Sequence, residues 1–170
     1  MVKVPIKKPI NHIGNFTSYP PTFVIDSREK KPYSFSSGIP TLRKKLLTGD
    51  YSIEGYENVI AVERKSLADF VNTVIHSQTN FSEELKRLSR MLNPLIIVEA
   101  NAEDLWNKEK YKSKVKPENL WKLAMSLSSK WGIPVFYFSN RQLARHSLEM
   151  YFTQWWDKEC KRKMRMKAAG

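Results

Sequence analysis

Two acids and a lysine in the middle of the chain have the types and spacing of a hydrolytic site. Glu63 and Lys65 are two positions apart in the apolar run VIAVERK (59–65). The two-residue period of a strand places their side chains on one face and Arg64 on the other. Asp50 lies in the preceding Gly-Asp-Tyr turn, close enough in sequence for a hairpin to bring its carboxylate beside that of Glu63. The pattern therefore predicts an acid pair with a neighbouring ammonium.

Such an acid pair favours a divalent cation. Two facing carboxylates repel each other, unless a cation between them makes both ionised forms favourable. Oxygen ligands favour Mg²⁺ or Mn²⁺, while a single cysteine and three scattered histidines argue against zinc. A lysine beside the cation can orient or help deprotonate an attacking water and stabilise charge on a phosphate. The arrangement is suited to phosphodiester hydrolysis without a covalent nucleophile.

Three further acids have two interpretations each. Asp26 and Glu99 close the apolar runs TFVID and LIIVE, and the carboxyl ends of strands form the usual ligand crevice of an open α/β sheet. Each could equally mark the point where a buried strand meets water. Asp69 follows Ser66 by three positions, as in a helix capping box, and a carboxylate there could also fix Lys65.

The composition indicates a polyanionic partner. The chain has 29 Lys and Arg against 17 Asp and Glu, a formal net charge of +12, and such a balance favours nucleic acid through counterion release. A basic soluble protein without that partner is the alternative. Cys160 is the single cysteine, which excludes an intrachain disulfide. No apolar run reaches the ~18 residues that span a bilayer, and the start lacks a secretory signal, so a cytoplasmic protein, nuclear in a eukaryote, is expected.

The alternation of apolar runs with amphipathic segments predicts an α/β fold in which helices pack on a sheet. An irregular, basic, proline-containing arm is expected at 1–20 and one domain at 21–157. The basic segment 158–170 is expected to be a tail, either binding nucleic acid or solvated and frayed. Strands are predicted at 22–26, 59–65, 95–99 and 134–138, and helices at 67–75, 81–92, 117–131 and from about 140 to 155.

Tryptophans and lysines outside the acid cluster could form a second contact with nucleic acid. The five tryptophans could stack on bases, but their helical spacing favours core packing, with Trp155 facing inward. Alternate lysines run through the polar connection 108–116, where Glu109 is the only acid. That connection is either a solvated loop or a phosphate-binding one, and the shortage of acids favours phosphate contacts from Lys112 and Lys114.

Taken together, these residues resemble the motif of the XPF-type nucleases. GDY at 49–51, ERK at 63–65 and Asp69 reproduce the pattern Gly-Asp … Glu-Arg-Lys-x-x-x-Asp of that family. DSRE at 26–29 lies upstream and LIIVEA at 95–100 downstream, in the order that the family shows. The similarity is to the small bacterial and phage members and extends over most of the chain.

This resemblance implies a restriction-endonuclease-like core, a central mixed β-sheet flanked by α-helices, and hydrolysis of DNA with a divalent metal. Carried onto matching positions, the acidic metal-site residues are Asp26, Asp50 and Glu63, with the backbone carbonyl of Arg64 as a further ligand. Lys65 matches the catalytic lysine. A homodimer is expected by analogy, and no small-molecule cofactor is implied.

The remaining motif residues are expected to support catalysis or to contact DNA. Asp69 and Arg64 are placed among the catalytic residues. Arg28, Glu29 and the Arg64 side chain match motif positions expected to support the site or contact DNA, and Lys30 is also expected to contact DNA. Two other functions stay open. A catalytically inactive DNA-binding or scaffolding module is one, although its usual signature, a lost acid or lysine, does not occur in this motif. A basic RNA-binding protein, supported only by charge and aromatic residues, is the other.

Overall fold

The computed structural model describes residues 20–76 and 80–168, so most of the predicted arm and the last two residues lie outside the described part. Within it, six strands form one mixed sheet in the order β2-β1-β3-β4-β5-β6. The β1–β2, β4–β5 and β5–β6 pairs are parallel, and β3 is antiparallel to both of its neighbours. The strands are β1 Phe23–Asp26, β2 Thr41–Lys44, β3 Tyr51–Ile53, β4 Ile60–Ser66, β5 Asn93–Glu99 and β6 Val135–Tyr137.

In the described residues, four α-helices cover the two faces of this sheet and two short 3₁₀ helices follow β5. The α-helices are α1 Leu67–His76, α2 Asn80–Leu88, α3 Pro117–Ser129 and α4 Arg141–Ala168, and the 3₁₀ helices are Ala102–Leu105 and Lys108–Lys110. The central strands are apolar on both faces, because alternate residues enter different cores. Leu95 and Ile97 of β5 pack with α4, whereas Ile96 and Val98 pack with α1, α2 and α3. The predicted α/β class, with a mixed sheet flanked by helices, is confirmed.

The start and the end of α3 follow the sequence signals. Pro117 occupies the first turn, where the absence of an N–H has no consequence. Beyond the helix, Gly132 has φ +65°, and the Ile133 N–H donates to the Leu127 carbonyl at 2.9 Å. A glycine is favoured there because its backbone enters the left-handed region without a steric penalty.

The basic carboxyl-terminal segment is helical as far as Ala168, which does not fit a frayed tail from residue 158; the alternative, binding of nucleic acid by this segment, stays a prediction. α4 continues unbroken to Ala168, since no glycine or proline lies between Asp157 and Ala168 and the Lys, Arg, Glu and Met residues there are good helix formers. Trp156 is the buried member of the Trp pair, at 6% exposure, whereas Trp155 was expected to face inward. Both rings make edge contacts with Tyr56. None of the described helices has the length and apolar character needed to cross a bilayer.

Candidate active site

The β3–β4 hairpin places Asp50 beside Glu63. Tyr51 is opposite Val62 in the register, and the Asp50 N–H donates to the Val62 carbonyl at 2.9 Å. Gly49 makes this approach possible because it has φ +77°, and a Cβ there would lie 3.1 Å from the Val62 carbonyl oxygen. Both the backbone angle and the space therefore require glycine at this turn. The expected proximity of the two acids follows from this geometry.

Asp50 and Glu63 form an electrostatically strained pair. Burial and the charge of Glu63 raise the pKa of Asp50 to about 8, against the hydrogen bond that its Oδ2 accepts from the Arg64 N–H at 2.8 Å. Burial also raises the pKa of Glu63, with the Lys65 ammonium acting in the opposite direction. Two buried carboxyls that disfavour ionisation together are stabilised by a cation placed between them.

Lys65 shares a face with Glu63, as the strand period predicted. Its Nζ lies 3.1 Å from Oε1 of Glu63 and 4.8 Å from the centre of the Phe81 ring. The lysine side chain is 13% exposed, so the ammonium is held between a carboxylate and an aromatic face at the opening of the site. Asp50, Glu63 and Lys65 line one open depression of about 520 Å³.

Arg64 lines the same depression and anchors the strand through two ion pairs. Its guanidinium pairs with Glu29 at 3.3 Å and with Glu99 at 3.1 Å, and Glu99 in turn accepts hydrogen bonds from Tyr33 and Arg141, each at 2.9 Å. Burial acts to lower the pKa of Arg64, but the bonds to Glu29 outweigh it and raise the pKa. The Arg64 side chain therefore positions the strand that carries Glu63 and Lys65.

Asp26 is not brought into the acid pair. Its carboxylate is 2% exposed and accepts bonds from Arg28 Nε and Nη2, each at 2.8 Å, from the Arg28 N–H at 2.7 Å and from the Leu46 N–H at 2.8 Å. Burial acts to raise the pKa of Asp26, but these bonds lower it overall. Only its backbone contacts the site, because its N–H donates to the Asp50 carbonyl at 2.8 Å. The Asp26 carboxylate is thus bonded to Arg28 and Leu46 in this structure, and its sharing of a metal with Asp50 and Glu63 stays a prediction.

Asp69 caps α1. The Ser66 hydroxyl donates to Asp69 Oδ2 at 2.6 Å, and the Asp69 N–H donates back to the Ser66 Oγ at 3.1 Å. Of the two interpretations given by the sequence, the structure supports this capping box. Lys65 bonds to Glu63 instead, although Asp69 lines the same depression.

Glu84 of α2 is a site residue that the sequence analysis missed. Its Oε1 accepts hydrogen bonds from the Thr48 hydroxyl and, at 3.1 Å, from the Gly49 N–H, and its Oε2 pairs with Arg87 at 2.6 Å. Burial acts to raise the pKa of Glu84, but these bonds lower it overall. Glu84 therefore stays ionised and fixes the turn before Asp50. An acid on the inward stripe of α2, three positions after Phe81, was the available signal.

The residues expected to contact DNA are on the surface. Lys30, Lys112 and Lys114 are exposed. Arg28 has 61% of its side chain exposed while its guanidinium binds Asp26. It therefore fixes the Asp26 carboxylate and still presents positive charge to solvent.

The acid pair suits a hard divalent cation. Asp50 and Glu63 supply two carboxylates next to the Arg64 peptide, whose N–H already contacts Asp50. Among the described residues, no three His, Cys, Asp or Glu side chains are grouped to hold a metal ion.

The mixed sheet, with its acidic β3–β4 hairpin between two helical layers, is the fold of the XPF nuclease domain. It matches XPF from Aeropyrum pernix in complex with DNA, with TM-score 0.61, 21% identity and coverage of 82% of this chain and 66% of that chain. A second structure of XPF from Aeropyrum pernix matches with TM-score 0.60, 21% identity and coverage of 76% and 64%. This chain thus spans about two thirds of the length of those chains.

The family assignment comes from the sequence itself. The ERCC4 domain model matches residues 25–150, and the chain belongs to the ERCC4 domain family. The match includes Asp50, Glu63 and Lys65. No curated protein matches the chain.

Proposed function

We propose that this protein is a divalent-metal-dependent endonuclease that hydrolyses phosphodiester bonds in DNA. The observation that carries the proposal is the acid pair at the β3–β4 hairpin, beside the Lys65 ammonium. Burial and the charge of Glu63 raise the pKa of Asp50, and burial raises the pKa of Glu63. Such a group is costly to maintain in a folded protein. A cation bound between the two carboxylates would relieve their repulsion and would give the pair a function.

Each residue then has a definite role. Asp50, Glu63 and the Arg64 carbonyl would hold Mg²⁺ or Mn²⁺, which when bound would polarise the phosphate and lower the pKa of its water. The Lys65 ammonium, 3.1 Å from Glu63 Oε1, would orient the attacking water and stabilise charge on the phosphate. Glu84 and Arg64 keep the turn and the strand in register, so the acids need little rearrangement.

The choice of DNA rests on charge and on the family. A net charge of +12 favours a polyanion, and a structure of similar fold is an XPF in complex with DNA. We propose branched or flap DNA as the substrate, in repair, recombination or phage DNA processing. Lys30, Lys112, Lys114 and the exposed edge of Arg28 are the proposed phosphate contacts. A homodimer stays a prediction.

Metal-dependent cleavage of a DNA panel tests the proposal. Purified protein is incubated with flap, fork, splayed and linear DNA, with Mg²⁺, with Mn²⁺ and with EDTA. Cleavage is expected only with metal, and Asp50→Asn and Lys65→Ala should each reduce it by at least about 100-fold. Asp157→Asn, an exposed acid on α4, is the matched control and should cleave as the wild type does.

Two results would count against the proposal. If no DNA in the panel is cut although each is bound, the protein acts as a binding or scaffolding module. If cutting persists in Asp50→Asn or Lys65→Ala, hydrolysis occurs elsewhere. Circular dichroism of each variant excludes unfolding as the cause of a lost activity.

A further inference from the structure

Trp106 is an exposed indole on a rigid support. It follows the first 3₁₀ helix, is 54% exposed and stacks on Trp121 of α3, with ring centres 5.8 Å apart and planes inclined by 25°. The expectation that the tryptophans serve core packing is therefore wrong for this residue. Trp121 is half-buried and supports the outer ring from below. A large aromatic surface is held in one orientation and left open to solvent.

Five lysines follow this aromatic pair. Lys108, Lys110, Lys112, Lys114 and Lys116 are all exposed, and within the described part of the chain none of them forms an ion pair. Glu109 is the only acid between residues 107 and 117. The segment therefore has a net charge of +4 next to the exposed face of Trp106.

Trp106, the outer member of the Trp106–Trp121 pair, follows closely in the chain after the sheet edge at which β4 and β5 end. Ser66 at the end of β4 is opposite Glu99 at the end of β5, and the first 3₁₀ helix begins three residues later. Trp106 is seven residues beyond Glu99, so their Cα atoms are at most about 25 Å apart. Glu99 itself binds the Arg64 guanidinium at 3.1 Å. One nucleic-acid strand of several nucleotides could contact both Trp106 and the acid pair.

We propose that Trp106 and the lysine segment 107–117 form a binding site for single-stranded DNA. An indole can stack on any base, because every base has a π-face, and flanking lysines neutralise the phosphates. A duplex hides its base faces within the stack and offers them only at its ends. The site would hold an unpaired arm while the acid pair meets the phosphodiester to be cut. This placement rests on the proposed nuclease function, whereas the binding itself does not.

The binding is tested on the full chain in EDTA, where hydrolysis cannot contribute. Fluorescence anisotropy measures the affinity for a labelled oligothymidine of 12 nucleotides and for a closed-end hairpin duplex. Trp106→Ala should weaken oligothymidine binding about tenfold and duplex binding less than about twofold. Trp106→Phe should retain most of the affinity. Met125→Ala, an exposed apolar residue of α3 at 59% exposure, is the matched control and should change neither.

A paired lysine variant tests the charge. Lys112→Ala with Lys114→Ala should weaken oligothymidine binding and reduce the dependence of log affinity on log salt by about one to two. The proposal is overturned if Trp106→Ala binds oligothymidine as the wild type does, or if it weakens single strand and duplex equally, as a protein-docking surface or a general fold defect would. If the wild type cleaves DNA and Trp106→Ala binds oligothymidine with unchanged affinity, only the single-strand site is refuted. If Trp106→Ala weakens oligothymidine binding but the wild type cleaves no DNA, only the proposed nuclease function is refuted.

Discussion

Replacing Asp50 by asparagine should stabilise the metal-free protein while removing its activity. The substitution keeps an oxygen for the Arg64 N–H, which the Asp50 carboxylate accepts at 2.8 Å. It also removes the acid that repels Glu63. Residues that are retained for function often lower the stability of the protein, so their replacement stabilises the fold when the ligand is absent.

The magnitude follows from the pKa. Asp50 has a pKa of about 8 in the folded protein, because of burial and the charge of Glu63, against an ordinary value of 3.8. Between these values the folded chain binds a proton that the unfolded chain has lost, so stability falls as the pH rises through this window. Each pH unit is worth about 1.4 kcal/mol, which sets an upper bound of about 4 kcal/mol at pH 7. Because the asparagine NH₂ also needs a partner, we expect a gain of about 1–3 kcal/mol.

Thermal and urea unfolding in EDTA, from pH 5 to pH 8, measure this effect. Asp50→Asn should melt about 3–10 °C above the wild type at pH 7, and the difference should grow with pH up to about 8. Asp157→Asn, which makes the same chemical change on the exposed surface of α4, should follow the wild type. Equal or lower stability of Asp50→Asn at pH 7–8 would refute the electrostatic reasoning.

Three further variants test the structural parts of the account by urea denaturation. Gly49→Ala should cost about 1–3 kcal/mol, because a Cβ at φ +77° would lie 3.1 Å from the Val62 carbonyl oxygen; an unchanged midpoint would contradict that turn. Ser66→Ala should cost about 1 kcal/mol through loss of the α1 cap, and an effect on cleavage much larger than on stability would give Asp69 a catalytic role instead. Trp156→Ala should cost about 3–5 kcal/mol, since its side chain is 6% exposed; a loss below about 1 kcal/mol would show that α4 does not dock there.

The pattern of the sequence predicts the centre of the site well. The period of a strand placed Glu63 and Lys65 on one face, and a hairpin between apolar segments placed Asp50 beside them. These are local properties, set within fewer than twenty residues of chain. The same applies to the four main strands and to the ends of α3, where proline and glycine act directly on the backbone.

The features that the sequence did not predict depend on contacts between distant segments or on side-chain choice. Asp26 ends its strand as expected, but the four hydrogen-bond donors from Arg28 and Leu46 that hold its carboxylate were not predicted. Glu84 reaches the site only because α2 packs over the Gly49 turn. Trp106 lies in a segment without periodicity, so no sequence pattern could predict whether its side chain is exposed or buried.

Titration calorimetry with Mn²⁺ at pH 7, in two buffers of different ionisation enthalpy, tests the central claim most directly. If Asp50 and Glu63 hold the cation, the wild type should bind Mn²⁺ with release of a proton, because Asp50, whose pKa is about 8, must lose its proton to bind. Asp50→Asn should lose both the binding and the proton release, while Asp157→Asn keeps them. Unchanged Mn²⁺ affinity in Asp50→Asn would contradict the assignment of this acid pair as the metal site.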